Sequence, residues 1–253
     1  MTLSAKPLHS LLFLLPIVIA YEVGSRLYLQ APELNSVQTI RAHSMLLAFF
    51  QDFGVAGRFL PAIAIVTVLV IWHILNGDRS KVRPIVLLGM SGEALALTVP
   101  LVVFIGLLQL MFGPTPTHPP AALVLPAAAQ TTTDPLTRLP WQAALTISMG
   151  AGLYEELLFR MIGILALHLI FVDLAKMSER VGTGLAILIC AAAFSAYHNV
   201  IGPRGEVDAL KAISLMAAGI YFGVVFATRG FGLAVGVHVI YDVYVLVLSR
   251  PSA

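Results

Sequence analysis

The chain has 253 residues, 58% of them hydrophobic and only 11% charged. Soluble domains carry about 25% charged residues, so this composition argues against a water-soluble enzyme and against a disordered chain. The mean hydropathy of +0.91 agrees. Cys190 is the only cysteine, which excludes an internal disulfide framework, and a net charge of +2 is too small to suggest a nucleic-acid partner. The apolar runs exceed the roughly 9–11 residues of a barrel strand. The expected fold is therefore all-α: a polytopic membrane bundle of about seven to eight transmembrane helices.

A helix crosses the hydrocarbon with about 20 mostly apolar residues. Spans are expected over 8–28, 58–76, 84–112, 141–172, 182–200, 209–228 and 232–249. The first run follows Lys6. It leads into Glu22-Val23-Gly24-Ser25-Arg26 with no small-residue cleavage site, so it reads as a retained span rather than a signal peptide. Between the first two spans, residues 34–53 mix Arg41, His43 and Asp52 with Leu46, Leu47, Phe49 and Phe50. That pattern is amphipathic and suits either an interfacial helix or part of an extra span.

The stretch from Gly113 to Pro140 holds six prolines before Pro140, and Thr131-Thr132-Thr133 as well. Proline removes backbone donors and blocks continuous helix. The stretch reads as a long loop between N-terminal membrane helices (1–112) and a four-helix core (141–253). The pairs Gly219/Gly223 and Gly232/Gly236 allow close helix approach. The basic loop Arg79, Lys81 and Arg83 favours a cytoplasmic position, shared with Lys176, Arg180 and the N-terminus. Similar numbers of Lys and Arg fall on the other face, so orientation stays open. The short loops point to a bacterial cell membrane.

Charges inside spans carry the chemical information. Each costs about 2.5–3.5 kcal/mol at a helix centre. Glu155, Glu156 and Arg160 in one span thus oppose insertion by on the order of 8–10 kcal/mol unless they are paired. Glu156 and Arg160 are i, i+4 and can pair. Glu155 lies about 100° around the helix from Glu156, so its partner must come from another helix, a metal or water. Two later spans offer one: His198 at the end of Phe194-Ser195-Ala196-Tyr197-His198, and the i, i+4 pair His238 and Asp242. Two imidazoles and a carboxylate suit Zn²⁺ with an open position for water. They equally suit a water held for a Glu base without metal. His73, His168, Glu93 and Gln109 read as helix-packing hydrogen-bond partners, and His118 as a solvated loop residue.

These elements resemble a known family in order and spacing. Glu155-Glu156-Leu157-Leu158-Phe159-Arg160 reads as EExxxR, Phe194 to His198 as FxxxH, and His238 to Asp242 as HxxxD. Three such motifs in separate apolar spans resemble the CPBP (CAAX protease and bacteriocin-processing, or Abi) intramembrane metalloproteases, related to the type II CAAX prenyl endopeptidase. The resemblance covers about residues 141–249. It implies an intramembrane metal-dependent endopeptidase that cleaves a membrane-associated protein or peptide, with the bilayer as its other partner. It implies that Glu155 activates the attacking water and that His198 shares that water or the metal. His238 and Asp242 become further ligands or oxyanion stabilisers, while Glu156 and Arg160 orient Glu155. The implied metal ligands are Glu155, His198 and His238, and the divalent metal is Zn by ligand type.

Two other readings use the same sequence. Gly89-Met90-Ser91-Gly92 spells GxSG, and Ser91 with His238 would form a rhomboid-like serine protease dyad. A non-catalytic scaffold or a proton-coupled transporter would also place Glu, Arg and His inside the membrane. No inverted repeat supports a transporter.

Overall fold

The structure is a computed structural model, and it describes residues 5–29, 41–55, 57, 59–77, 82–113, 139–201 and 205–249. It is built from helices: α1 (Pro7–Tyr28), α2 (Arg41–Asp52), α3 (Leu60–Leu75), α4 (Pro84–Phe112), α5 (Trp141–Leu174), α6 (Glu179–Tyr197), α7 (Ala209–Arg229) and α8 (Phe231–Leu248). Among the described residues there is no strand, only an isolated bridge between Ile201 and Val207 in the α6–α7 connection. The expected all-α membrane bundle is what the chain forms.

Each of the seven expected spans is a helix. Six are long and apolar enough to cross a membrane, and Leu60–Leu75 is a shorter apolar helix. At about 1.5 Å per residue its 16 residues reach about 24 Å, less than the roughly 30 Å hydrocarbon thickness. The amphipathic segment contains α2, whose 12 residues are too few to cross. α2 turns Ala42, His43 and Leu46 inward and leaves Met45 and Phe49 exposed. Residues 34–40, the loop residues 114–138 with His118, and Arg79 and Lys81 lie outside the described residues.

The helix that organises the bundle is α8. It packs against α1, α4, α5 and α7, and Leu233, Ala234, Val235 and Val237 are wholly buried. Small residues let the backbones meet. A side-chain carbon on Gly152 of α5 would lie 3.0 Å from the Val239 backbone nitrogen of α8. One on Gly219 of α7 would lie 2.9 Å from the Ala191 Cα of α6. Without a hydrophobic drive between helices in lipid, such close van der Waals contact is a main source of cohesion. The α7–α8 turn needs Gly230 for its φ of +90°.

One feature of α5 has no signature in the apolar pattern. Directly after Glu156 the helix widens into π-type turns from Leu157 to Ile164. A π turn rotates the following side chains relative to an ordinary helix and recurs at functional sites. It begins directly after the two glutamates of the EExxxR motif and includes its Arg160.

Candidate active site

Three helices bring the polar residues together. α5 supplies Glu155, Glu156 and Arg160, the residue after α6 is His198, and α8 supplies His238 and Asp242.

Arg160 is the largest fully buried side chain among the described residues. Its guanidinium donates to the Gly219 carbonyl of α7 at 3.2 Å and pairs with Glu156 Oε1 at 3.2 Å. Its carbon centre sits 4.5 Å over the Phe194 ring and 5.4 Å over the Phe222 ring. A desolvated cation over aromatic faces gains from their quadrupoles, which helps offset burial. The same Glu156 oxygen accepts from His238 Nδ1 at 2.7 Å. Phe222 stacks on the His238 ring at 4.5 Å with the planes 12° apart. A chain of contacts thus runs from a backbone carbonyl through Arg160 and Glu156 to one imidazole and fixes its rotation.

That rotation decides what His238 can do. Its Nδ1 faces a carboxylate, which only accepts, so Nδ1 carries a proton and Nε2 is left for other work. Nε2 lies 3.9 Å from Glu155 Oε2 and 3.6 Å from Asp242 Oδ2. His198 repeats the logic. Its Nδ1 donates to the Phe194 carbonyl at 2.8 Å, and its Nε2 lies 3.7 Å from Glu155 Oε2. Both Nε2 atoms therefore face one carboxylate oxygen, and that oxygen is buried with no hydrogen-bond partner. His198 is 28% exposed whereas Glu155 is 7% exposed, so the cluster is more open on its His198 side.

The donor chemistry fits a zinc site. Ligating imidazoles characteristically give their other N–H to a carboxylate or a carbonyl, as His238 and His198 do. The spacing is looser. Among the described residues no group of three or more His, Cys, Asp or Glu side chains has the spacing of a ready-formed metal site. Neighbouring ligands about 2.0–2.1 Å from a tetrahedral zinc stand about 3.3 Å apart. The separations of 3.6–3.9 Å are a few tenths of an ångström wider than that.

All four expected site residues, Glu155, His198, His238 and Asp242, are thus neighbours. Glu156, expected with Arg160 to orient Glu155, lies against His238 Nδ1 and Arg160 Nη1. Other expectations resolve simply. Ser91 is exposed and donates to the Leu87 carbonyl at 3.2 Å, on a different face from the buried His238. The structure does not bring this pair together as a dyad. Glu93 of α4 pairs with Arg229 of α7 at 2.7 Å, in keeping with a packing role, whereas His168 lies 3.8 Å from Asp173 of its own helix. Gln109 is buried in α4. The sequence reading missed Phe222 and the Gly219 carbonyl. Only Gly219 had a signal, its small-residue pairing with Gly223.

Compared with known proteins, residues 137–244 match the family model described as Type II CAAX prenyl endopeptidase Rce1-like. The matched region contains all three motifs. No curated protein and no solved structure matches the chain.

Proposed function

From the match of residues 137–244 to the Type II CAAX prenyl endopeptidase Rce1-like family model, we propose that this protein is an intramembrane protease of that kind, a metal-dependent endopeptidase using a Glu155-activated water. The substrate is a membrane-associated protein or peptide, and the location is a cell membrane, bacterial by its short loops. The observation that supports this most is the unpartnered Glu155 Oε2 facing two imidazole Nε2 atoms.

Hydrolysis of a peptide needs a proton taken from water, a charged oxygen stabilised, and a proton given to nitrogen. Glu155 takes the first proton as the water oxygen bonds to the carbonyl carbon. The carbon–nitrogen bond then breaks, and Glu155 returns the proton to the leaving nitrogen. Glu155, His198 and His238 would hold the divalent metal, Zn²⁺ by donor type. When bound, zinc lowers the pKa of water to about 7 and polarises the carbonyl. His238 is held in position by Glu156 and Phe222, and Asp242 lies against its Nε2 side. The buried setting strengthens every one of these electrostatic contacts.

The test is reconstitution into vesicles with membrane-anchored peptides, prenylated and unprenylated, and mass spectrometry of new termini. Cleavage lost in Glu155→Gln is expected. Absent cleavage together with Glu155-dependent proton flux would establish the transporter reading instead. Metal is tested separately by elemental analysis of wild type beside His198→Ala. About one zinc per chain is expected in the wild type, falling in the variant. If neither sample holds metal and cleavage persists, the metal half of the proposal is wrong and the side chains act on water directly.

A further inference from the structure

The backbone holds the two imidazoles of the cluster in different ways. His238 is buried within α8. His198 hangs off the end of α6, with an extended backbone at φ −80° and ψ 152°. Its N–H donates to the Ser195 carbonyl at 3.2 Å. That tighter last turn leaves the Phe194 carbonyl without its usual helical partner. The His198 Nδ1 takes it instead, at 2.8 Å. One hydrogen bond fixes a distance, but the ring torsion of histidine is broad and leaves the tilt open.

The side chain of the same Phe194 supplies the missing contact. Its ring centre lies 4.6 Å from that of His198, with the planes 56° apart. It also meets His238 edge-on, at 6.0 Å and 72°. Both distances fall within the roughly 4.5–7 Å of favourable aromatic pairs. One side chain on α6 therefore touches an imidazole at its own helix end and an imidazole on α8. Phe194 is itself buried and boxed in. Phe159 of α5 stands edge-on to it at 5.4 Å and Phe222 of α7 at 6.4 Å. The Arg160 guanidinium carbon lies 4.5 Å from its centre, against 5.4 Å for Phe222 and 5.9 Å for Phe159. A desolvated cation over a ring is attracted to that ring's face.

We propose that Phe194 is the positioning residue that sets the two imidazoles relative to each other, and that Arg160 fixes its ring. This rests on the reading of Glu155, His198 and His238 as the site. Both Nε2 atoms face one oxygen, Glu155 Oε2, at 3.7 and 3.9 Å. That convergence requires rings from two separate helices to keep one mutual angle. The bonds at Nδ1 tie each ring to its own acceptor, a carbonyl for His198 and Glu156 for His238. Neither ties one ring to the other. The Phe194 ring does, because both pack on it. Removing the ring leaves the carbonyl bond in place and releases the tilt of His198, so turnover falls while substrate binding holds.

The experiment measures kcat and KM on the cleaved membrane peptide, zinc retention against a chelator, and thermal unfolding. The variants are Phe194→Leu, Phe159→Leu and Glu155→Gln, with a protein carrying pentafluorophenylalanine at position 194. Phe194→Met, which fills the space with a flexible chain, takes the place of Phe194→Leu if the latter does not fold. In Phe194→Leu kcat is expected to fall about 10-fold or more, as for a misplaced catalytic group, with KM within about twofold. Zinc retention should weaken by about 10-fold, as when a group orienting a ligand is lost. Phe159→Leu removes a ring from the same box that touches neither imidazole, and its kcat should stay within about twofold of wild type, to the precision of the assay. The fluorinated ring keeps its shape and loses its attraction for a cation, so its kcat should fall between wild type and Phe194→Leu. Wild-type turnover and zinc retention in Phe194→Leu, with Glu155→Gln inactive, would overturn the positioning role and leave the function standing. Equal losses in Phe194→Leu and Phe159→Leu would reduce Phe194 to general packing and overturn the proposal. Wild-type turnover with the fluorinated ring, beside a slow Phe194→Leu, would overturn the Arg160 half. A rise in KM alone would assign Phe194 to substrate binding and overturn the whole. Retained cleavage in Glu155→Gln would overturn the underlying function.

Discussion

Glu155→Gln is expected to reduce kcat for peptide cleavage by about 10³–10⁴-fold without destabilising the fold. A positioned general base contributes about 10²–10⁴-fold, and zinc ligation by the same carboxylate would weaken as well. The substitution keeps shape and volume and removes charge. Because Glu155 Oε2 is buried without a partner, the wild-type carboxylate is held there at an energetic penalty. A neutral amide relieves it, so the unfolding temperature should stay level or rise. That opposition of activity and stability is the signature of a side chain kept for chemistry. A large loss of stability in Glu155→Gln, with cleavage intact, would mark Glu155 as a structural residue.

The second large effect is expected at Arg160. Arg160→Met leaves the fully buried Glu156 carboxylate with His238 but without its guanidinium, and abandons the Gly219 carbonyl. Breaking one side of a buried pair costs about 3–5 kcal/mol, because the other charge is left uncompensated. The double variant Arg160→Met with Glu156→Gln should regain about half or more of that loss, since the orphan charge is gone. Its activity should not return. His238 would keep its Phe222 stack but lose the charged acceptor that turns Nε2 toward Glu155. Detergent-phase unfolding together with the cleavage assay separates the two effects. Equal destabilisation of single and double variants would show that Arg160 acts through packing over Phe194 and Phe222 rather than through charge.

The spans were legible because lipid imposes a simple rule. Every backbone polar group must be satisfied within the segment, so a run of about 20 apolar residues has few options besides helix. The same rule made Glu155, Glu156 and Arg160 conspicuous, since charges in lipid need a reason. Helical spacing correctly paired Glu156 with Arg160 and His238 with Asp242, at 3.2 Å and 3.6 Å. These are local facts, set by 3.6 residues per turn.

Spacing along the chain could not say which helices touch. Glu156 and His238 are 82 residues apart, and their 2.7 Å contact depends on α5 meeting α8 at Gly152. Phe222 had no polar signal at all, yet its stack fixes the imidazole. Arg41 and Tyr197 are separated by 156 residues, yet Arg41 Nη1 donates to the Tyr197 carbonyl at 2.8 Å. In this protein the order of residues determined the helices, their polar intruders and the pairs within one turn. Only the tertiary packing decided which ring nitrogen faces which carboxylate, because that depends on backbones brought close by small residues far apart in the chain.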